Sequence, residues 1–319
     1  MTANGATGEF DTRVKVGAVE LPHAVMTASG TSGHGAELGD YFPLDDIGAV
    51  TVKSLSVMPW AGNPAPRLHP LPDGMINAVG LQGPGVDAWF DEHLASLASR
   101  RARVVISLWG RTIDEYRRAA EAAANRLARA NTDHVVAIEV NLSCPNLEGR
   151  RGIFAHDAEV SAAVLESCRG VGRPCWAKLS PNTDRIVEVA DAVRTAGADA
   201  VTLVNTVVGL VLDDDGEPVL GNGGGGLSGP MIHPVALRAV ADVRAAHPDL
   251  AIIGVGGITS GATAGAMLRA GAQAVQVGTA TFVDPRATHR IARELVRWAR
   301  DRGFSSLAAV TGARGRGSA

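Results

Sequence analysis

The sequence predicts a (β/α)8 barrel of the α/β class, and three observations carry that expectation. Short β-branched apolar runs alternate with longer stretches of helical periodicity from about residue 24 to the end, as a parallel α/β architecture requires. Eight such units can be traced over roughly 250 residues, the size of a closed barrel, whereas an open doubly wound sheet uses fewer strands. The longest connections, 54–85, 142–157 and 205–234, all follow strand C-termini, the face on which such barrels build their sites.

The strands are expected at 24–28, 49–54, 104–108, 137–141, 175–179, 200–204, 252–255 and 274–278, each short and mostly apolar, as strands buried on both faces should be. Helical spacing of apolar residues is expected over 87–99, 112–127, 184–196, 234–246 and 286–302. Residues 13–22 read as a small hairpin turning at Gly17 and capping the bottom of the barrel. One catalytic domain is expected over 14–305, between a flexible N-terminus (1–13) and a flexible tail (306–319).

Composition narrows the function classes. The chain has 319 residues, 46% hydrophobic and 20% charged, with a formal net charge of −3, which gives no basic face for a nucleic-acid partner. Its first residues lack an apolar signal region and no run approaches the roughly 18 apolar residues of a membrane helix, so no membrane association is expected. Three cysteines, Cys144, Cys168 and Cys175, are too few for a disulfide framework and suit a reducing cytoplasm. The histidines are scattered without metal-binding spacing, so no metal site is expected.

The fourth strand runs into Asn141-Leu142-Ser143-Cys144-Pro145-Asn146. A cysteine just past a strand end on the active face is a nucleophile or base candidate, because its pKa of about 8.5 is adjustable toward neutrality. Cys168, in a helical pattern, and Cys175, opening a strand, read as structural thiols. Asn141 and Asn146 offer donor and acceptor pairs that match the alternating C=O and N–H edge of a pyrimidine, and Asn77 and Asn205 follow other strands. Lys53 and Lys178 sit inside apolar runs where a solvated ammonium is out of place. One can hold a substrate carboxylate and the other the charge of a reduced flavin; the alternative is an internal ion pair, with Glu139 and the Asp residues as candidate counterions.

The last two strands end in Gly256-Gly257 and Gly278-Thr279, where backbone amides freed by glycine make a phosphate site. The GxGxxG at 221–226 follows an acidic turn and opens no helix, so it reads as a flexible lid or a backbone track beside a ligand, not a dinucleotide fingerprint.

These motifs resemble those of the class 1 dihydroorotate dehydrogenases. The resemblance spans nearly the whole barrel and is most specific in 141–146, in Gly62-Asn63-Pro64-Ala65-Pro66-Arg67, in Asn77-Ala78-Val79-Gly80-Leu81-Gln82 and in Gly226-Leu227-Ser228-Gly229-Pro230. It implies FMN as cofactor, and Cys144 as the base that takes the C5 proton of dihydroorotate while a hydride leaves C6 for flavin N5. Lys53, Asn77, Gly80, Leu81, Asn141, Asn146, Asn205 and Thr206 match the family's substrate positions. Ala28, Ser29, Lys53, Ser107, Asn141, Lys178, Ser228, Gly229, Gly256, Gly257, Gly278 and Thr279 match positions around the flavin.

Within class 1 the chain is more similar to the NAD-linked (class 1B) catalytic subunit. The resemblance then implies a homodimer of this chain and a second subunit carrying FAD and a [2Fe–2S] cluster, with NAD as acceptor. With Cys144 occupied, two cysteines remain, and a cluster needs four ligands, so any cluster lies on another chain. Two departures stand out: Trp109, where a small residue is expected, and the glycine run 223–226. The nearest rival is a dihydropyrimidine dehydrogenase-like flavin enzyme; Asn146 after Cys144-Pro145, and Lys53 as partner for a carboxylate that uracil lacks, favour orotate. Further rivals are a Schiff-base lyase on Lys178 or Lys53 and a non-catalytic flavin- or phosphate-binding barrel.

Overall fold

The computed structural model describes residues 10–129, 131–143 and 154–312. In chain order, strands β1 (Val14–Val16) and β2 (Val19–Leu21) precede β3 (Val25–Thr27) and β4 (Val50–Thr51). Strands β5 (Leu68–Leu71) and β6 (Gly74–Asn77) follow, then β7 (Val104–Leu108), β8 (Val135–Asn141), β9 (Cys175–Lys178) and β10 (Ala200–Leu203). The last four are β11 (Val207–Gly209), β12 (Gly225–Ser228), β13 (Ile252–Val255) and β14 (Ala274–Val277).

Eight of these form one parallel sheet in the order β3-β14-β13-β10-β9-β8-β7-β4. Its ends meet: the Gly48 amide donates to the Val25 carbonyl at 2.7 Å and the Thr27 amide to the Ala49 carbonyl at 3.2 Å, closing the barrel between β3 and β4. The expected (β/α)8 fold is therefore the observed one. Seven of the eight strands fall within one or two residues of their expected positions and β4 ends three residues early; each is short, mostly apolar and almost wholly buried.

The surrounding helices are α1 (Val86–Glu92), α2 (Leu94–Ser99), α3 (Ile113–Leu127), α4 (Ala158–Cys168), α5 (Ile186–Thr195), α6 (His233–Ala246), α7 (Gly261–Ala270), α8 (Ala280–Val283) and α9 (Ala287–Asp301). Local sequence sets their starts: Thr112 caps α3 by accepting from the Glu115 amide, Asp157 caps α4 through the Val160 amide, and Ser260 and Thr263 form a capping box on α7. The single helix expected over 87–99 is two, divided at His93, whose ring stacks on His34 at 5.8 Å.

Strands β1 and β2 form the expected hairpin. Gly17 turns it at φ +58, and a Cβ there would stand 2.8 Å from the Asp199 carbonyl, just before β10 begins, so the hairpin lies against the bottom of the barrel. Residues 306–312, expected within a flexible tail, pack instead on the barrel: Leu307 and Val310 are buried, and the Leu307 amide donates to the Asp11 carbonyl. The expectations for 1–9 and 313–319 lie outside the described residues.

The long connections carry structure that the sequence reading did not anticipate. Strands β11, β12, β6 and β5 form a four-stranded antiparallel sheet, joining the connection after β4 to the one after β10. The glycine run is not a free lid, since Gly225–Ser228 pairs with both β6 and β11. Close packing explains its composition: a Cβ on Gly225 would come within 2.5 Å of the Asn77 carbonyl, and one on Gly226 within 2.1 Å of Thr206 Oγ1. Among the described residues no helix is long and apolar enough to cross a membrane, and no group of His, Cys, Asp and Glu could hold a metal ion.

Candidate active site

A cavity of about 400 Å³ opens at the C-terminal ends of the barrel strands, beside the antiparallel sheet. Its wall gathers residues from across the chain. Lys53, Asn77, Gly80, Leu81, Asn141, Asn205 and Thr206, all expected to hold substrate, line it. So do Ala28, Ser29, Lys178, Ser228, Gly229, Gly256, Gly257, Gly278 and Thr279, all expected around a flavin. Cys144 and Asn146 lie outside the described residues.

Asn141 ends β8, and the buried Tyr116 of α3 fixes that strand end by donating its hydroxyl to the Asn141 carbonyl at 2.5 Å. The Asn141 side chain donates to Ser54 Oγ at 3.3 Å and accepts from Asn205 Nδ2 at 3.2 Å and from the Ser143 amide at 3.2 Å. Asn205 in turn accepts the Thr206 amide at 2.8 Å. Asn77 donates to the Gly226 carbonyl at 3.2 Å, which ties it to the neighbouring strand of the upper sheet. Amide side chains locked this way present their remaining donors and acceptors in fixed positions.

The two lysines differ in setting. Lys53 is half-buried over Gly30, where an added Cβ would lie 3.2 Å from its Nζ. Beside it, burial holds the His34 imidazole below its ordinary pKa, with the charges of His93 and Lys53 acting in the same direction. Lys178 is almost fully buried on β9, and its Nζ lies 3.6 Å from Glu139 Oε1. The internal ion pair and the cavity wall are thus both occupied by the same lysine.

One end of the cavity is a tight glycine cradle. Gly257 has φ +65, and a Cβ there would stand 2.6 Å from His233 Cβ and 2.9 Å from the Gly229 carbonyl. Gly229 has φ +109 and would meet Gly74 Cα at 2.6 Å. His233 Nδ1 bonds the Gly256 carbonyl at 2.8 Å, and Thr279 donates to Ser228 Oγ at 2.8 Å, which joins the two glycine turns across the cavity wall.

Ser107 is not brought to the cavity. It is fully buried and touches Ser54 Oγ at 2.9 Å; Ser54, which the sequence reading passed over, lines the wall and also contacts Ser29 Oγ at 3.2 Å. Asn182 was missed as well: it lines the cavity, donates to the Thr206 carbonyl at 2.9 Å and accepts the Val208 amide at 2.8 Å. It follows Pro181 past the end of β9, and a strand-end asparagine is the same signal that marks Asn77 and Asn205. Trp109 does not line the cavity; it packs edge-on against Trp60 at 6.1 Å, and Trp60 donates its indole N–H to the Gly80 carbonyl at 2.9 Å. Cys168 and Cys175 are buried, with thiols pushed up to about 12 by desolvation, as structural thiols should be.

The dihydroorotate dehydrogenase family model matches residues 12–298. The chain belongs to the dihydroorotate dehydrogenase family. Its members are oxidoreductases, named for the oxidation of dihydroorotate. The chain is 44% identical over 305 residues to "Dihydroorotate dehydrogenase B (NAD(+)), catalytic subunit" of Geobacter sp. (strain M21), covering 95% of this chain and 98% of that one. A protein of the same name from Trichlorobacter lovleyi is 43% identical over 302 residues, 94% of this chain and 97% of its own, and one from Geobacter metallireducens is 40% identical over 305 residues, 95% and 98%. The class 1B resemblance read from the motifs is thus supported across the barrel, and the name "catalytic subunit" implies a separate second subunit in those relatives.

Proposed function

We propose that this chain is the catalytic subunit of a two-component dihydroorotate dehydrogenase, that it holds FMN in the cavity at the barrel mouth, and that Cys144 is its base. The observation that carries this reading is the convergence of Lys53, Asn77, Asn141 and Asn205 on a single cavity with the glycine cradle at one end.

The residues present fit the cofactor. A phosphate needs backbone that a ligand can approach closely, and Gly229, Gly256 and Gly257 sit where side chains have no room. Ala28, Ser29, Lys178, Ser228, Gly278 and Thr279 would hold the remainder. When bound, FMN supplies the hydride acceptor for C6 of the substrate.

The chain's own groups do the rest. The carboxylate of dihydroorotate pairs with Lys53, which a neutral pyrimidine would leave unmatched. Asn77, Asn141, Asn205 and Asn146 read the C=O and N–H edge of the ring. Cys144, as thiolate, takes the C5 proton, so the C6 hydride leaves with its electron pair and a C5–C6 double bond forms. The electrons then pass to a partner subunit, since the cysteines here cannot build a cluster.

The test is anaerobic mixing of the purified holoprotein with dihydroorotate while following flavin absorbance, with dihydrouracil in parallel. Bleaching by dihydroorotate at least a hundredfold faster than by dihydrouracil is expected. A colourless protein, or a preference for dihydrouracil, overturns the reading in favour of a lyase or a dihydropyrimidine enzyme.

A further inference from the structure

The interiors of such barrels are filled by layers of four side chains contributed by alternate strands, usually branched and apolar. In this chain one layer is polar throughout. Thr51 on β4, Glu139 on β8, Thr202 on β10 and Gln276 on β14 come from the second, fourth, sixth and eighth barrel strands, and all four are fully buried. They bond to one another: Gln276 Nε2 donates to Glu139 Oε2 at 2.7 Å and to Thr51 Oγ1 at 3.4 Å, and Thr202 donates to Glu139 Oε2 at 3.0 Å.

Strand periodicity places this layer directly under the cavity. Residues two apart share a strand face, so Glu139 stands one step below Asn141, Thr51 below Lys53 and Gln276 below Gly278, all three of which line the wall. The two donors occupy only one oxygen of the Glu139 carboxylate. The other, Oε1, has no hydrogen-bond partner and faces Lys178 Nζ at 3.6 Å. A buried carboxylate is costly unless it is compensated, and the cation set against it among the described residues is the lysine at the cavity floor.

We infer that Glu139 is a positioning residue for Lys178, fixed by the Thr202 and Gln276 donors so that its free oxygen holds the ammonium in place and offsets part of its charge. Lys178 then meets the cofactor as half of an ion pair instead of as a bare cation. The reduced cofactor, which carries negative charge, is stabilised less than an unopposed ammonium would stabilise it, and its electrons pass on more readily. This rests on the flavin reading above.

The experiment is the midpoint potential of the flavin in the holoenzyme, measured for wild type and Glu139→Gln. The substitution is expected to shift the redox equilibrium toward the reduced form by at least tenfold, which for a two-electron couple is about 30 mV more positive. Because Glu139→Gln removes a buried charge and can impair folding, the swap Glu139→Gln with Gln276→Glu is measured beside it. The swap keeps the layer's composition while moving the carboxylate off Lys178, and a smaller shift of the same sign is expected. A potential unchanged within threefold in the swap and in any foldable Glu139→Gln protein, or a shift to more negative values, overturns the inference and leaves the layer a packing feature. A wild-type protein that carries no flavin instead overturns the functional reading, so the two failures are distinguishable.

Discussion

Asn205 donates its side-chain amide to the side-chain oxygen of Asn141 across 3.2 Å, linking the ends of β8 and β10 over the cavity. Each amide orients the other, so neither is free to rotate when a ring with alternating donors and acceptors arrives. Asn205→Ala removes this donor together with the substrate contact proposed for it. Orotate affinity should fall by tenfold to a hundredfold, about 1.4 to 3 kcal/mol, with flavin content unchanged. Isothermal titration with orotate checks this; affinity within twofold of wild type would mean that Asn205 serves the loop alone.

The glycine cradle makes a second prediction. Gly257→Val puts a β-branched side chain at φ +65, 2.6 Å from His233 Cβ, in the place assigned to the phosphate. Flavin occupancy after purification should fall below a tenth of wild type. Full occupancy, read from the ratio of visible to ultraviolet absorbance, would remove the phosphate from this turn.

Much of the architecture is legible in the sequence. The eight barrel strands are short, mostly apolar and rich in β-branched residues, and they recur between helical stretches at a regular spacing. The upper sheet was not legible, for a physical reason: β5 contains Pro70 and β12 is Gly225-Gly226-Leu227-Ser228, so neither has strand composition; β5 is an edge strand carried by its hairpin with β6, and β12 is held to β6 from far away in the chain. In the site, lysines and asparagines announced themselves as polar groups at apolar strand ends. Ser54 and Asn182 did not, because serine at a strand end and asparagine after proline are ordinary turn chemistry. Ser107 shows the converse, a residue correctly placed on its strand yet one contact behind the wall.

Stability should depend on pH through His23. This imidazole is buried, accepts the Val25 amide at Nδ1 over 3.0 Å, and is lowered to about 4 by desolvation. Between its unfolded value near 6.5 and about 4, the unfolded chain binds a proton that the folded chain refuses, so stability falls as pH falls through this window, by on the order of 3 kcal/mol. Urea unfolding of wild type and His23→Asn at pH 7 and pH 4.5 checks this. The variant should lose less stability on acidification than wild type; equal losses would place the acid sensitivity elsewhere.

The isolated chain should not pass electrons to NAD at a useful rate. The GxGxxG run ends in an antiparallel strand at Gly225-Gly226 and opens no helix, and the described cysteines are buried thiols. NAD reduction with dihydroorotate should be at least a hundredfold slower than reduction of an artificial dye. Comparable rates would show that no second subunit is needed.

The central claim is that Cys144 takes the C5 proton while the asparagines and Lys53 hold the ring, and single-turnover flavin reduction by dihydroorotate in wild type, Cys144→Ala and Cys144→Ser across pH tests it most directly. The account predicts a wild-type rate that rises with pH as the thiolate forms, and near-normal orotate binding in Cys144→Ala. It also predicts a loss of about 10² to 10⁴ in the reduction rate of that variant, with poor rescue by serine near neutrality. A Cys144→Ala rate within a few-fold of wild type would contradict it, because the proton would then be leaving by another route.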